Sequence, residues 1–229
     1  MFEREHHRRI QTVLAGLNAP FLLANQCYFG GGTAIVLLLD EYRESLDIDF
    51  LCASQAGYSA LRNTIDNVSL GDIFARPVKI LREVRADRYG IRTYLEVDGQ
   101  PIKLEIVRED RIELFGQVDA VLGVPLLARE DMYAEKLLAN ADRYNDISTA
   151  SRDIIDLAMM IAHWGDVPAA SWEKTRRPYG LSVDKAFVKA LGRLSDQQYL
   201  ASCLAKMHMD PALAPQILSS LARNAPALN

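Results

Sequence analysis

The order of apolar and polar positions divides the chain in two. In the first half the period changes from one segment to the next. Residues 3–17 repeat at helical spacing and Pro20 closes them, while Gln26 to Phe29 reads as a short strand ended by Gly30, Gly31 and Gly32. Thr33 to Leu39 is an apolar run that opens a helix. Leu46-Asp47-Ile48-Asp49-Phe50-Leu51 then alternates with period two, the mark of a half-buried strand. A helix is predicted near 55–69, followed by strands near 78–85, 91–98 and 101–108. Asp98-Gly99 makes a hairpin turn between the last two. From about residue 129 the pattern is helical to the end, over 130–143, 151–163, 181–192, 195–207 and 211–223. Breaks fall at Gly165, Pro168, Pro178-Tyr179-Gly180 and Pro211. The expectation is an α+β first domain over 1–125 and a helical second domain over 126–229, with Leu122-Gly123-Val124-Pro125 as the joint.

Composition narrows the class. The 229 residues are 49% hydrophobic and 24% charged, which excludes a disordered or fibrous chain. A chain of this length can bury a core without metal or disulfide staples. No apolar run is long enough to span a bilayer, and the charged opening from Glu3 to Arg9 lacks the apolar stretch of a secretory signal. Cys27, Cys52 and Cys203 are scattered, with no CxxC pair, and suit a reducing compartment. A cytoplasmic protein without membrane contact is therefore expected. The net charge of −4 argues against a wholesale electrostatic grip on nucleic acid. Two segments run the other way, 76–92 and 172–193, each with six basic and two acidic residues. Such patches can pair with phosphates, although a solvated face is the commoner use.

Candidate chemistry begins with the glycines and the paired aspartates. Residues i and i+2 of a strand share a face, so Asp47 and Asp49 lie together while Leu46, Ile48 and Phe50 anchor the core. Two adjacent carboxylates repel unless a cation sits between them, and hard oxygen ligands beside phosphates suit Mg²⁺. A glycine run entering a helix lets backbone N–H groups approach a phosphate, with the Thr33 hydroxyl expected to donate to it as well. Fourteen residues separate Gly32 from Asp47, enough for a helix and a return to a neighbouring strand. In Ile102-Lys103-Leu104-Glu105-Ile106, alternation puts Lys103 and Glu105 on one face. If that strand neighbours Asp47, Glu105 completes a three-carboxylate cluster able to hold two metals. Farther on, Lys136, Asn140 and Arg143 share a helix face. Arg152, Asp153 and Asp156 lie in a strongly apolar helix, where Arg152 and Asp156 could pair at i and i+4. The four histidines have no ligand spacing between them and read as structural or surface residues; Trp164 and Trp172 read as packing residues.

These segments, in this order, resemble a known family. Tyr28-Phe29-Gly30-Gly31-Gly32-Thr33-Ala34-Ile35 followed by Arg43-Glu44-Ser45-Leu46-Asp47-Ile48-Asp49-Phe50 resembles the opening motif of the AbiEii/AbiGii-type nucleotidyltransferases of abortive infection, within the DNA polymerase beta-like superfamily. Lys103-Leu104-Glu105 resembles the second motif, a Lys-x-Asp. Lys136 through Arg143 resembles the third, and Arg152-Asp153-Ile154-Ile155-Asp156-Leu157 the fourth. The resemblance covers roughly residues 25–165.

It implies a mixed sheet with flanking helices, followed by a helical half. It also implies that Gly31, Gly32 and Thr33 hold the triphosphate of an NTP, that Asp47 and Asp49 bind Mg²⁺ (or Mn²⁺), and that Glu105 completes the metal site. Lys103, Lys136 and Arg143 would contact the nucleotide, with Asp153 or Asp156 orienting the reaction. Glu105 stands where the motif has Asp, one methylene longer. The implied reaction is NMP transfer to a hydroxyl of RNA, such as a tRNA end, or of a protein, by the toxin of a toxin–antitoxin pair. An Asp-x-Asp glycosyltransferase fits the glycine-led helix and the helical second half poorly, and an Asp-x-Asp phosphatase lacks its partner motifs. A non-catalytic nucleotide- or partner-binding module on the same fold is the alternative, which Glu105 keeps open.

Overall fold

In the computed structural model, which describes residues 2–227, the period-two segments gather into one seven-stranded mixed sheet. The first part runs α1 (Glu5–Gly16), α2 (Ala19–Ala24), β1 (Cys27–Gly30), α3 (Gly31–Leu38), β2 (Ile48–Cys52), α4 (Gln55–Asn63), β3 (Ile80–Ala86), β4 (Gly90–Val97), β5 (Gln100–Arg108), β6 (Gly116–Val118) and β7 (Pro125–Leu127). Helices follow: α5 (Arg129–Arg143), α6 (Arg152–Trp164), α7 (Ala169–Tyr179), α8 (Ser182–Leu194), α9 (Gln197–Lys206) and α10 (Ala214–Asn224). The class is α+β, a mixed sheet with flanking helices and then a helical half.

The sheet order is β3-β4-β5-β2-β1-β7-β6. Strand β2 is interior, antiparallel to β1 and parallel to β5. Its apolar face explains that place: Ile48 and Phe50 are buried, and Phe50 lies opposite Phe29 with ring centroids 5.4 Å apart. The hairpin β4–β5 turns at Asp98-Gly99, both at positive φ, as a two-residue turn requires. Ile91, Thr93 and Leu95 of β4 face the core with Ile102, Leu104 and Ile106 of β5. Arg92, Tyr94, Lys103 and Glu105 alternate onto the other, partly exposed face.

Several local expectations change. Pro20 does not end the first helix. It sits in the first turn of α2, where a missing N–H leaves no hydrogen bond unmade, and Asn18 caps that helix by accepting from the Phe21 N–H. The helix expected to reach residue 69 stops at Asn63. Leu46 is 53% exposed instead of anchoring the core, because regular pairing of β2 begins only at Ile48. Leu122 to Val124 closes the loop between β6 and β7, with Gly123 at φ +70°, and Pro125 is already the first residue of β7. Three residues per strand are too few to show alternation, so β6 and β7 left no pattern to read. Helix α7 was hidden by Pro178, which falls in its last turn.

The chain forms two compact units, Met1–Leu37 with Ser45–Ala128, and Leu38–Glu44 with Arg129–Asn229. The first is built on the sheet. In the second, α6 is the central helix, buried from Asp153 through Ile161 and packed against α5 and α10. Residues 38–44 join this unit by side-chain bonds to α6, and the Glu44 N–H donates to the Met207 carbonyl at 3.0 Å. Among the described residues no helix is long and apolar enough to cross a membrane.

Candidate active site

In the sheet unit, β1 ends at Gly30 and the chain turns at Gly31, φ +68°, into α3. Register sets Gly30 against Asp49 on one side of β2 and Glu105 against Asp49 on the other. The helix start therefore abuts the aspartate. A Cβ on Gly31 would lie 2.7 Å from Asp49 Oδ2 and 2.9 Å from Asp49 Cβ. Both the left-handed φ and the close approach require glycine. Gly31→Ala is expected to cost about 1–2 kcal/mol from backbone strain alone. That corresponds to a melting temperature roughly 2–8 °C lower in a thermal unfolding scan. An unchanged melting curve would mean that the turn relaxes and Asp49 moves aside.

Thr33 is buried, and its hydroxyl donates to the Asp47 carbonyl. The Ser45 hydroxyl lies 2.7 Å from Thr33 Oγ1. A threonine hydroxyl has one proton, so Ser45 must be the donor to Thr33. Thr33 is thus not free to donate from its side chain to a phosphate, as expected above; it fastens the backbone of Asp47 to the first turn of α3. The Ser45 N–H in turn donates to Nε2 of the buried His7 at 3.1 Å, which gives that histidine a structural place.

Asp47 precedes β2 with its side chain 44% exposed and one oxygen 4.0 Å from Lys103 Nζ. Glu105 is held from two sides, accepting from Arg92 Nε at 2.6 Å and from Lys103 Nζ at 2.6 Å. Burial by itself would raise the Glu105 carboxyl, but Lys103 and Arg92 hold it below the usual carboxylate range. For Lys103, burial works against the charge, yet Glu105, Asp47 and Asp49 together keep the ammonium above its ordinary value. Among the described residues no group of three or more His, Cys, Asp or Glu side chains is gathered to hold a metal ion. The carboxylate beside the glycine turn is that of Asp49, while Asp47 meets the first turn of α3 through its backbone carbonyl and Glu105 faces two cations. Arg92 was not singled out from the sequence. The signal was available: the Asp98-Gly99 turn fixes the β4–β5 register, and counting back along the hairpin sets Arg92 opposite Glu105.

The helical unit holds the remaining candidates in a second network. Asp156 is fully buried and accepts from Arg43 Nε at 2.7 Å, Arg43 Nη2 at 2.9 Å and the Tyr42 hydroxyl at 2.5 Å. Lys136 Nζ lies 2.7 Å from Asp156 and 3.1 Å from Asp153. Arg143 Nη2 reaches Asp153 at 2.8 Å. Lys136 is therefore a buried ion-paired residue rather than part of an exposed face. Arg152 is exposed, and Asp156 takes its partners from Arg43, Lys136 and Tyr42. Burial would raise the Asp156 carboxyl; Arg43 and Lys136 overcome this and hold it well below the carboxylate range. Burial and then the neighbouring Asp156 push the Tyr42 phenol well up, keeping it a neutral donor. Asn140, between these cations on α5, is buried with its amide nitrogen unpaired. The expected residues thus form two groups. Gly31, Gly32, Thr33, Asp47, Asp49, Lys103 and Glu105 lie in the sheet unit, and Lys136, Arg143 and Asp153 in the helical unit.

Comparison with known proteins follows the same line. The family model described as the nucleotidyl transferase AbiEii toxin, type IV TA system, matches residues 12–216. No curated protein matches the chain in sequence. A crystal structure from H. pylori described as that of a nucleotidyltransferase is similar over 95% of this chain and 92% of its own, with 15% identity and a TM-score of 0.53. That of JHP933 from Helicobacter pylori is similar over 97% and 93%, with 16% identity and a TM-score of 0.53. At such identities the likeness is one of fold.

Proposed function

Because the chain belongs to the AbiEii nucleotidyl transferase toxin family, we propose that it transfers a nucleoside monophosphate from an NTP to an acceptor hydroxyl on RNA, such as a tRNA end, or on protein. It would act as the toxin partner of an antitoxin protein in the cytoplasm. The observation that carries the reading is the close approach of the glycine turn that opens α3 to the Asp49 carboxylate, which leaves no room for a Cβ at Gly31. Backbone N–H groups at a helix start favour phosphate, and a carboxylate beside them favours a cation that phosphates share.

The donor set fits Mg²⁺ or Mn²⁺: Asp49 offers hard oxygen ligands beside the glycine turn and Asp47, two residues earlier and 44% exposed, offers more, and the two would hold the ion. When bound, it neutralises charge on the phosphates during transfer. The chain's own residues do the rest. Gly31 and Gly32 present backbone donors to the triphosphate, while Thr33 and Ser45 keep Asp47 in place. Lys103, 29% exposed, can turn its ammonium from Glu105 to a phosphate oxygen. Glu105 would complete the metal site only by releasing one of its two cations. Arg143, its side chain 39% exposed, and the buried Lys136 would contact the nucleotide, Arg143 without uncovering Asp156. Asp153, gripped by both, would orient the site. In this reading residues 1–125 form the nucleotidyltransferase core and 126–229 the helical domain.

The occupied state of Glu105 also favours a second reading, a nucleotide- or partner-binding module without turnover. Incubation with Mg²⁺, each labelled NTP and total RNA separates the two. Label should pass to RNA, or to a protein acceptor if one is added, with wild type and not with Asp47→Asn. Metal-dependent NTP binding without label transfer to any acceptor would favour the module.

A further inference from the structure

The cross-strand register lines up one row of side chains from β2 to the edge strand β3. Asp49 lies beside Glu105, Glu105 opposite Arg92, and Arg92 opposite Arg85. One step along, Lys103 is opposite Tyr94 and Tyr94 opposite Arg82, whose guanidinium carbon stands 4.2 Å from the centre of the Tyr94 ring. Directly opposed residues share a face, so this row is continuous with the candidate active site. Toward β2 its charges cancel, because Glu105 takes Lys103 and Arg92, and Arg92 also reaches Asp87 at 3.2 Å. Toward the edge they do not. Arg82 and Arg85 are exposed, and neither has an acidic partner among the described residues. Arg85 lies opposite Arg92, whose charge is already taken by Glu105 and Asp87, so no acid across the strand pair is left for Arg85. Glu83 is exposed on the same strand but falls in the irregular step between Arg82 and Arg85.

We propose that this row is the track for the acceptor, a single-stranded RNA end. The strand crosses from β3 toward Asp49 over three strand spacings, about 14 Å. Its phosphates pair with Arg82 and Arg85, and one base stacks on the Arg82–Tyr94 pair. Guanidinium and aromatic planes grip unstacked bases, which a duplex keeps inside. An acidic peptide would satisfy the two cations and leave the stacked pair unused. The net charge of −4 fits a local grip of this kind better than a general affinity for polyanions. The proposal rests on the transferase reading for its direction, but it is tested apart from it.

The test is fluorescence anisotropy of a short 5′-labelled single-stranded RNA, without NTP or metal. Wild type should bind with an affinity that falls as salt rises. Arg82→Ala combined with Arg85→Ala should bind about tenfold or more weakly and lower the salt slope by about 1.4, roughly 0.7 per lost phosphate contact. Tyr94→Ala should weaken binding with the slope unchanged. Arg82→Lys with Arg85→Lys should restore the slope, and a melting temperature equal to wild type shows the alanine variant to be folded. Equal affinity of the double alanine variant and wild type, or no RNA binding by wild type, overturns the track. The transferase reading fails differently, through absence of label transfer by a protein that binds RNA on these residues.

Discussion

Asp49→Asn is expected to lower nucleotidyl transfer about a thousandfold or more, close to 4 kcal/mol of transition-state stabilisation. The replacement keeps shape and removes one charge. Asp49 is the carboxylate that the glycine turn touches and that register sets between Gly30 and Glu105. An amide oxygen there is a weaker ligand for a hard cation and leaves phosphate charge uncompensated. Binding of single-stranded RNA should survive, since Arg82 and Arg85 lie on another strand. Initial rates with labelled NTP at saturating Mg²⁺ decide the matter. A variant within tenfold of wild type would remove Asp49 from the metal site and leave the glycine turn without its carboxylate partner.

Asp156→Ala is expected to give the largest loss of stability. It strips one buried carboxylate from Arg43, Lys136 and Tyr42, leaving two cations in the protein interior with fewer partners. Removing one member of a buried pair costs about 3–5 kcal/mol, or a melting temperature lower by roughly 6–20 °C. The pH dependence has a definite sign. The folded carboxyl titrates below its unfolded value, so its stabilisation is complete above the unfolded pKa of about 3.9 and is lost as pH falls through the folded one. The difference in melting temperature between wild type and Asp156→Ala should therefore hold steady from about pH 5 to 8 and shrink in acid. A variant within 1 kcal/mol of wild type, by urea titration, would show that water or rearranged side chains replace the carboxylate.

Both residues were visible as chemistry in the sequence, and they differ in how much of their setting was visible. Period two around Asp49 showed its strand and the core-facing neighbours Ile48 and Phe50, and the glycine triplet showed the helix start. Alternation could also place Glu105 on the same face as Lys103. It could not show that Glu105 is already held by Arg92, because that contact depends on pairing between strands; only the hairpin turn carried the information, one residue pair at a time. Asp156 illustrates the opposite limit. Helical spacing offered Arg152 as its partner, whereas its actual partners Tyr42 and Arg43 lie more than a hundred residues earlier. No local period encodes such a pairing. The strands β6 and β7 escaped for a simpler reason, being too short to express a period, and Pro178 concealed α7 because it lies inside the helix, where a missing N–H normally marks a break.

The passage of residues 38–44 into the helical unit has a consequence for inheritance and for engineering. A clean cut after Ala128 would separate a sheet fragment that still carries Tyr42 and Arg43 from a helical fragment that carries their carboxylate. Such a cut parts the buried Arg43 and Tyr42 from Asp156, so the halves divided there are not exchangeable modules in the usual sense. A chimera that takes its last hundred residues from a distant relative must bring the relative's version of the Tyr42–Glu44 tripeptide with it.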